Sequence, residues 1–222
     1  MYELLDETAA QVILATEPGD TIQRVADRLH RPYETVRGAV DRLEDGGFLT
    51  YDDGLSVVDD RVREATRELL AASATSSPPS IEDAYRLPTF GEWPFAFTRI
   101  DAVYVWTRGG YQIGRDPDDY PLFLAVRDRD LADWERFFDA VGVPTAFDRQ
   151  PRSAIDGPLQ VVLDARDTLE REWVDGYPVQ PRSETITYMR SNYAQFQPAL
   201  EMLDRLEPDI DLNVTYREGD RA

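Results

Sequence analysis

Residues 20–58 read DTIQRVADRLHRPYETVRGAVDRLEDGGFLTYDDGLSVV, and the spacing of apolar positions in this stretch decides the front of the fold. Ile22, Val25, Ala26 and Leu29 recur at the three- and four-residue steps that line one face of a helix. Asp20 stands three residues before Gln23, the spacing of a capping box, so a short helix is expected to begin there. Pro32 suits a first helical position, because its missing N–H would have no intrahelical acceptor. Val36, Ala39, Val40 and Leu43 then form a second stripe that Gly46-Gly47 ends. Phe48 to Tyr51 and Leu55 to Val58 flank Asp52-Asp53-Gly54, and Asp-Gly between two apolar runs predicts a hairpin. Working outward, Leu5, Ala9, Val12 and Ile13 give residues 3–16 the same helical spacing, closed by Pro18-Gly19.

Three helices followed by a hairpin is the order of a winged helix-turn-helix, expected within residues 1–58. Ile22 to Leu29, Glu34 to Arg37 and the run Ala39 to Leu49 (AVDRLEDGGFL) resemble helix two, the recognition helix and the wing entry of winged-helix regulators of the MarR or ArsR type. The resemblance covers about a quarter of the chain and implies a duplex-DNA reader.

If Val36, Ala39, Val40 and Leu43 face a core, Tyr33, Glu34, Arg37, Asp41 and Arg42 lie outward, within reach of a major groove. Arg37 can bond guanine O6 and N7 together, and Glu34 can accept from a cytosine amino group. Thr21, Gln23, Arg31 and Thr35 lie near helix N-termini, where hydroxyls, amides and the helix dipole suit phosphate. Residues 21–43 hold five arginines (24, 28, 31, 37, 42) against Asp27, Glu34 and Asp41, a net of +2 in a chain of −19. The competing reading is that Arg24, Arg28 and Arg42 pair with Asp27, Asp41 and Glu44 at helical spacing and only solvate their faces. The expected wing tip, Asp52-Asp53-Gly54, is acidic and would be repelled by phosphate, which also admits a module that contacts protein.

The whole chain has 43 acidic and 24 basic residues, and every basic one is arginine. Such an acidic, lysine-free surface resembles proteins of salt-accumulating halophiles. There, charges are screened within about 3 Å at 1 M salt, and the composition is read as a solubility device. With no cysteine and His30 as the one histidine, disulfides, thiolate chemistry and imidazole metal clusters are excluded. The N-terminus has no basic-then-apolar leader, and no stretch approaches the ~20 apolar residues of a membrane span, so a cytoplasmic protein without membrane contact is expected.

Behind the hairpin, Val58, Val62, Ala65, Leu69 and Ala72 make a heptad-like stripe on residues 59–72, a connecting helix whose Val62, Ala65 and Leu69 suit either a homodimer seam or packing on its own domain. Residues 73–80 (SATSSPPS) have linker composition. Residues 81–222 read as an α+β domain that dimerises, senses a small effector or holds a protein partner. Strands are expected at 102–107, 121–126 and 159–163, a helix at 131–141, a hairpin about Asp175-Gly176 within 172–180, helices near 183–192 and 193–206, and an edge strand at 212–217. Tyr104, Trp106, Tyr111, Tyr120, Trp134, Phe137 and Phe138 are read as core rather than as a ligand pocket.

Two further readings compete with the regulator. Gly109-Gly110 after a strand, with Asp116, Asp118, Asp119 and Asp164, has the residue types of a nucleotidyltransferase that holds magnesium for phosphoryl transfer. Pro121 to Val126 lacks that family's paired carboxylates, however, and Asp209-Ile-Asp211 is read as surface. Residues 176–189 (GYPVQPRSETITYM) resemble part of AbiE-type antitoxin regulators, which implies a repressor of its own operon with a toxin partner. The leading expectation is a non-enzymatic transcriptional regulator with no cofactor and no metal, binding double-stranded DNA.

Overall fold

The computed structural model describes residues 6–111, 120–147, 159–207, 212 and 214. It is an α+β protein. The first helix, α1 (Glu7–Ala15), starts at Asp6, whose carboxylate accepts from the Ala9 N–H at 2.7 Å. The next two, α2 (Ile22–Leu29) and α3 (Tyr33–Asp45), bury the two stripes read from the sequence, with Val25, Leu29, Val36, Ala39 and Leu43 at 0 % exposure. His30 closes α2 in the left-handed region at φ 49°, and Pro32 precedes α3 rather than opening it. The capping box does not form. Thr21 caps α2 instead, accepting from the Arg24 N–H at 3.2 Å, and Asp20 is drawn to another task.

A two-stranded hairpin follows, β1 (Leu49–Tyr51) antiparallel to β2 (Leu55–Val57). Its turn end is fastened to the α1–α2 turn. The Leu55 N–H donates to the Asp20 carbonyl at 2.7 Å, and the Gly19 N–H donates back to the Leu55 carbonyl at 3.0 Å. Gly54, at φ +116°, lies so close to Gly19 that a Cβ would stand 2.7 Å from its backbone. After the hairpin α4 (Asp60–Ala74) runs back along α1. The serine- and proline-rich stretch begins inside α4 and ends at Ser80, which caps a 3₁₀ turn at Ile81–Asp83.

The larger sheet has six strands: β3 (Phe95–Phe97), β4 (Tyr120–Arg127), β5 (Thr145–Phe147), β6 (Leu159–Arg166), β7 (Glu172–Val174) and β8 (Tyr177–Val179), in the order β5-β6-β4-β3-β8-β7. It is mixed. β4 and β6 run parallel over eight paired positions, whereas β3 is antiparallel to β4 and parallel to β8. Four helices accompany it: α5 (Arg99–Trp106), α6 (Leu131–Ala140), α7 (Arg182–Ser191) and α8 (Tyr193–Leu206).

The expected strand at 102–107 is corrected: this stretch is α5. Its Val, Tyr and Trp content favours strand, but tertiary anchors hold the helix. The fully buried Asp101 carboxylate accepts from the Phe123 N–H at 2.7 Å and from the Tyr85 hydroxyl at 2.6 Å, and Trp106 Nε1 donates to the Gln180 carbonyl at 3.1 Å. Trp134, Phe137 and Phe138 are core, as read, with Trp134 stacked on Phe138 at 5.5 Å. Leu5, Asp116, Asp118, Asp119, Asp209 and Asp211 lie outside the described residues, as does the 212–217 edge strand except for Leu212 and Val214, which are not in a strand.

Buried apolar side chains form one cluster from Ala9 of α1 to Leu212, across the serine-rich stretch. The junction between the front helices and the sheet is close. Arg28 on α2 is buried and pairs with Asp20 through two guanidinium contacts at 2.6 and 3.2 Å, donates to the Ala15 carbonyl, and lies 5.4 Å from the Trp173 ring centroid. The β7–β8 turn docks on the same helix: a Cβ on Gly176 would meet the Arg28 backbone nitrogen at 2.8 Å. His30 lies against Tyr177 at 4.6 Å.

Two outcomes follow from this junction. Removing one partner of a buried ion pair strands the other charge, so Asp20→Asn or Arg28→Met is expected to lower stability by roughly 3 kcal/mol, read from chemical denaturation in molar salt. His30 titrates below its ordinary value of 6.5, first because its partial burial beside Tyr177 disfavours the cation and then because Arg86 repels it, against the smaller pull of Asp27 and Asp175. The unfolded chain therefore takes up this proton first, and stability should fall as pH drops from above 6.5 through the folded value. His30→Asn, which tolerates the left-handed backbone, should flatten that slope between about pH 7 and pH 5.

Candidate nucleic-acid interface

The outward face of α3 is built by burial of the opposite one. Val36, Ala39, Val40 and Leu43 pack on α1, α2 and β1, which leaves Tyr33, Glu34, Thr35, Arg37, Asp41 and Arg42 exposed. Among the described residues no hydrogen bond or ion pair holds the side chains of Tyr33, Glu34, Thr35 or Arg37. Tyr33 keeps 38 % of its surface open. Gly38, beside Arg37, has room for a side chain: an added Cβ would find only Arg42 Nη1, at 3.9 Å.

The other four expected contacts are occupied within the protein. Thr21 is the α2 cap, and Gln23 donates to Asp27 at 2.6 Å. Arg31 donates to Glu7 at 2.8 Å and to Gln11 at 2.9 Å, and Arg42 donates to Asp6 at 2.8 Å. The local pairings set against the DNA reading are not formed either. Arg28 pairs with Asp20 and Arg42 with Asp6, rather than with Asp27, Asp41 or Glu44, and Arg24 makes no ion pair among the described residues.

This changes the electrostatics of the front face. Across residues 21–43 five arginines stand against three acids, a net of +2, but Asp20, Glu7 and Asp6 from outside that window each neutralise one arginine, which brings the net to −1. The positive island does not survive folding. No local spacing could have revealed this, since Glu7 and Asp6 lie 24 and 36 residues from their partners in sequence. The hairpin tip adds no positive charge, and Asp52 and Asp53 are exposed.

The connecting helix leaves Ala65 and Leu69 of its stripe in solvent, whereas Val62 packs in part on the core. Leu69 is 51 % exposed and Ala65 is exposed, and with Val62 and Phe48 they line a shallow apolar groove.

Of the carboxylates singled out for phosphoryl transfer, Asp164 alone lies among the described residues. Gly109-Gly110 follows helix α5 and not a strand. Asp164 on β6 receives Arg166 at 3.0 Å, and Arg166 also reaches Glu184 at 2.7 Å and Thr98 at 3.3 Å, a closed polar network. Among the described residues no group of three His, Asp or Glu side chains is placed to hold a metal ion, and no helix is long and apolar enough to cross a membrane. No protein-family model, no curated protein and no solved structure matches this chain.

Proposed function

We propose that the front of the chain is a winged helix-turn-helix module of a transcriptional regulator, and that the first half of α3 reads base edges in the major groove of duplex DNA. The observation that carries the reading is the unpartnered row Tyr33, Glu34, Thr35 and Arg37 beside Gly38. A glycine inside an exposed helical stretch costs about 1 kcal/mol against alanine. No neighbour in the chain requires it, so a surface that must come close to another molecule accounts for it. The bridge between Asp20 and Leu55, which adds a short third strand segment to the hairpin, agrees with a winged-helix layout.

With four of the expected contacts engaged internally, few cations are left to neutralise phosphate. Affinity then rests on base contacts, and its dependence on salt is shallow. That suits a cell interior at molar salt, where a binding mode built on counterion release would lose most of its strength. The stripe Val62, Ala65 and Leu69 serves as the seam of a homodimer, which places two copies of α3 on successive half-sites. The sheet domain supplies regulation and no catalysis.

A second reading, an interaction module that holds a protein partner, is favoured by the net charge of −1 on the front face and by the acidic hairpin tip. DNA occupancy mapped in cells separates the two. Discrete peaks are expected for the regulator, and their absence with co-purification of a neighbouring gene's product would favour the second.

Arg37→Ala is expected to weaken operator binding by about 1 to 3 kcal/mol, the worth of a bidentate base contact. Gly38→Ala is expected to raise thermal stability by up to ~1 kcal/mol while weakening the same binding. Operator binding unchanged in both variants would remove α3 from this role. Leu69→Glu should shift the particle mass in light scattering from dimer to monomer.

A further inference from the structure

We propose that the cavity between the α1–α2 turn, α4 and the β7–β8 hairpin is a binding site for a small organic anion, a carboxylate on an apolar or aromatic body. The cavity encloses about 280 Å³ and is lined by Arg28, Arg63, Arg171, Trp93, Trp173 and Glu17, with Pro94, Phe95 and Pro178 among its apolar walls. Its volume and mixed lining are those of a small-molecule site.

The arginines that lack an ion-pair partner set the sign of the ligand's charge. Arg28, Arg63 and Arg171 line the cavity, and Arg67 stands behind it. Arg28 is matched by Asp20 and Arg67 by Glu92. Arg63 donates at 2.6 Å to the Thr16 carbonyl, a neutral acceptor, and Arg171 lies 5.1 Å from the Trp173 ring centroid. Arg63 feels Asp60 and Glu17 through space and Arg171 feels Glu17, but neither is in an ion pair among the described residues, so both keep guanidinium donors to offer an anion.

The donors point to an oxygen acid. Arg63 gives one donor to the Thr16 carbonyl, and Arg171 has no hydrogen bond or ion pair among the described residues. A guanidinium presents its donors in a planar fork that matches a carboxylate. Partial burial pushes the Arg63 and Arg171 guanidiniums below their ordinary range, against the pull of Asp60 and Glu17 on Arg63 and of Glu17 on Arg171, with repulsion from Arg127 and Arg28 added at Arg171. Trp93, Phe95 and the prolines give part of the wall an apolar face, which suits a ligand with an apolar body.

The position gives the site its use. One wall is the turn that leads into α2, and the opposite side carries Trp173 and Arg171 at the β7 hairpin, so a ligand held here ties the front helices to the sheet. Its use as an effector site rests on the regulator reading, while binding itself does not.

The test uses the full chain in molar potassium chloride without DNA, so that failure of operator binding leaves its result untouched. Sodium benzoate is titrated while tryptophan fluorescence and the melting temperature are followed, with benzamide and inorganic phosphate as controls. Benzoate should give a saturable change, about tenfold or more tighter than benzamide, and Arg63→Gln and Arg171→Gln should each weaken it about tenfold or more. Circular dichroism checks that the variants fold, and Arg171→Gln decides alone if Arg63→Gln does not. Absence of saturation, equal binding of benzamide, tighter binding of phosphate, or benzoate binding unaltered in the folded variants would overturn the proposal.

Discussion

The Arg28–Asp20 pair is the constraint around which the front of the molecule is arranged. Both side chains are almost wholly buried, at 5 % and 6 % exposure, and neither charge can be left in that place alone. Asp20 also accepts from the Glu17 N–H at 2.8 Å, and Arg28 reaches the Ala15 carbonyl, so the pair fixes the end of α1, the turn and the body of α2 relative to one another. A buried ion pair returns little net stability over an apolar substitute, because desolvation consumes most of the attraction. Its value here is geometric: with one arrangement that satisfies both charges, α2 has one angle of exit from the turn. Trp173 and Gly176 are fitted to that angle, and through them the β7–β8 hairpin.

Much of this architecture was legible because helix stripes and Asp-Gly turns are local signals. Ile22 to Leu29, Val36 to Leu43 and the hairpins about Gly54 and Gly176 announce themselves within a few residues. The failures share the opposite property. Residues 99–106 form a helix buried on more than one face, so no amphipathic period marks it, and the anchors of Asp101 and Trp106 come from Phe123, Tyr85 and Gln180. The strands β3 and β5 are three residues long and draw their identity from the strands beside them.

The reading face shows the same division more sharply. Which residues of α3 point outward was readable from period alone, and the structure leaves Tyr33, Glu34, Thr35 and Arg37 there. Whether the arginines near them are free was not, because Asp6 and Glu7 arrive from α1. In a chain so rich in acid, the charge of a sequence window is a poor guide to the charge of a surface: every arginine has many carboxylates to choose from, and the fold makes the choice.

The clasp between Gly19 and Gly54 has a mechanical consequence. Two backbones held at near-contact distance, with hydrogen bonds through Asp20 and Leu55, form a latch and not a tether. The clasp sits at the turn end of the hairpin, beside Asp52 and Asp53, so that acidic turn moves only with the α1–α2 turn. The hairpin is thus latched at its far end as well as joined to α3 at its root, and it closes a loop of backbone next to the buried junction.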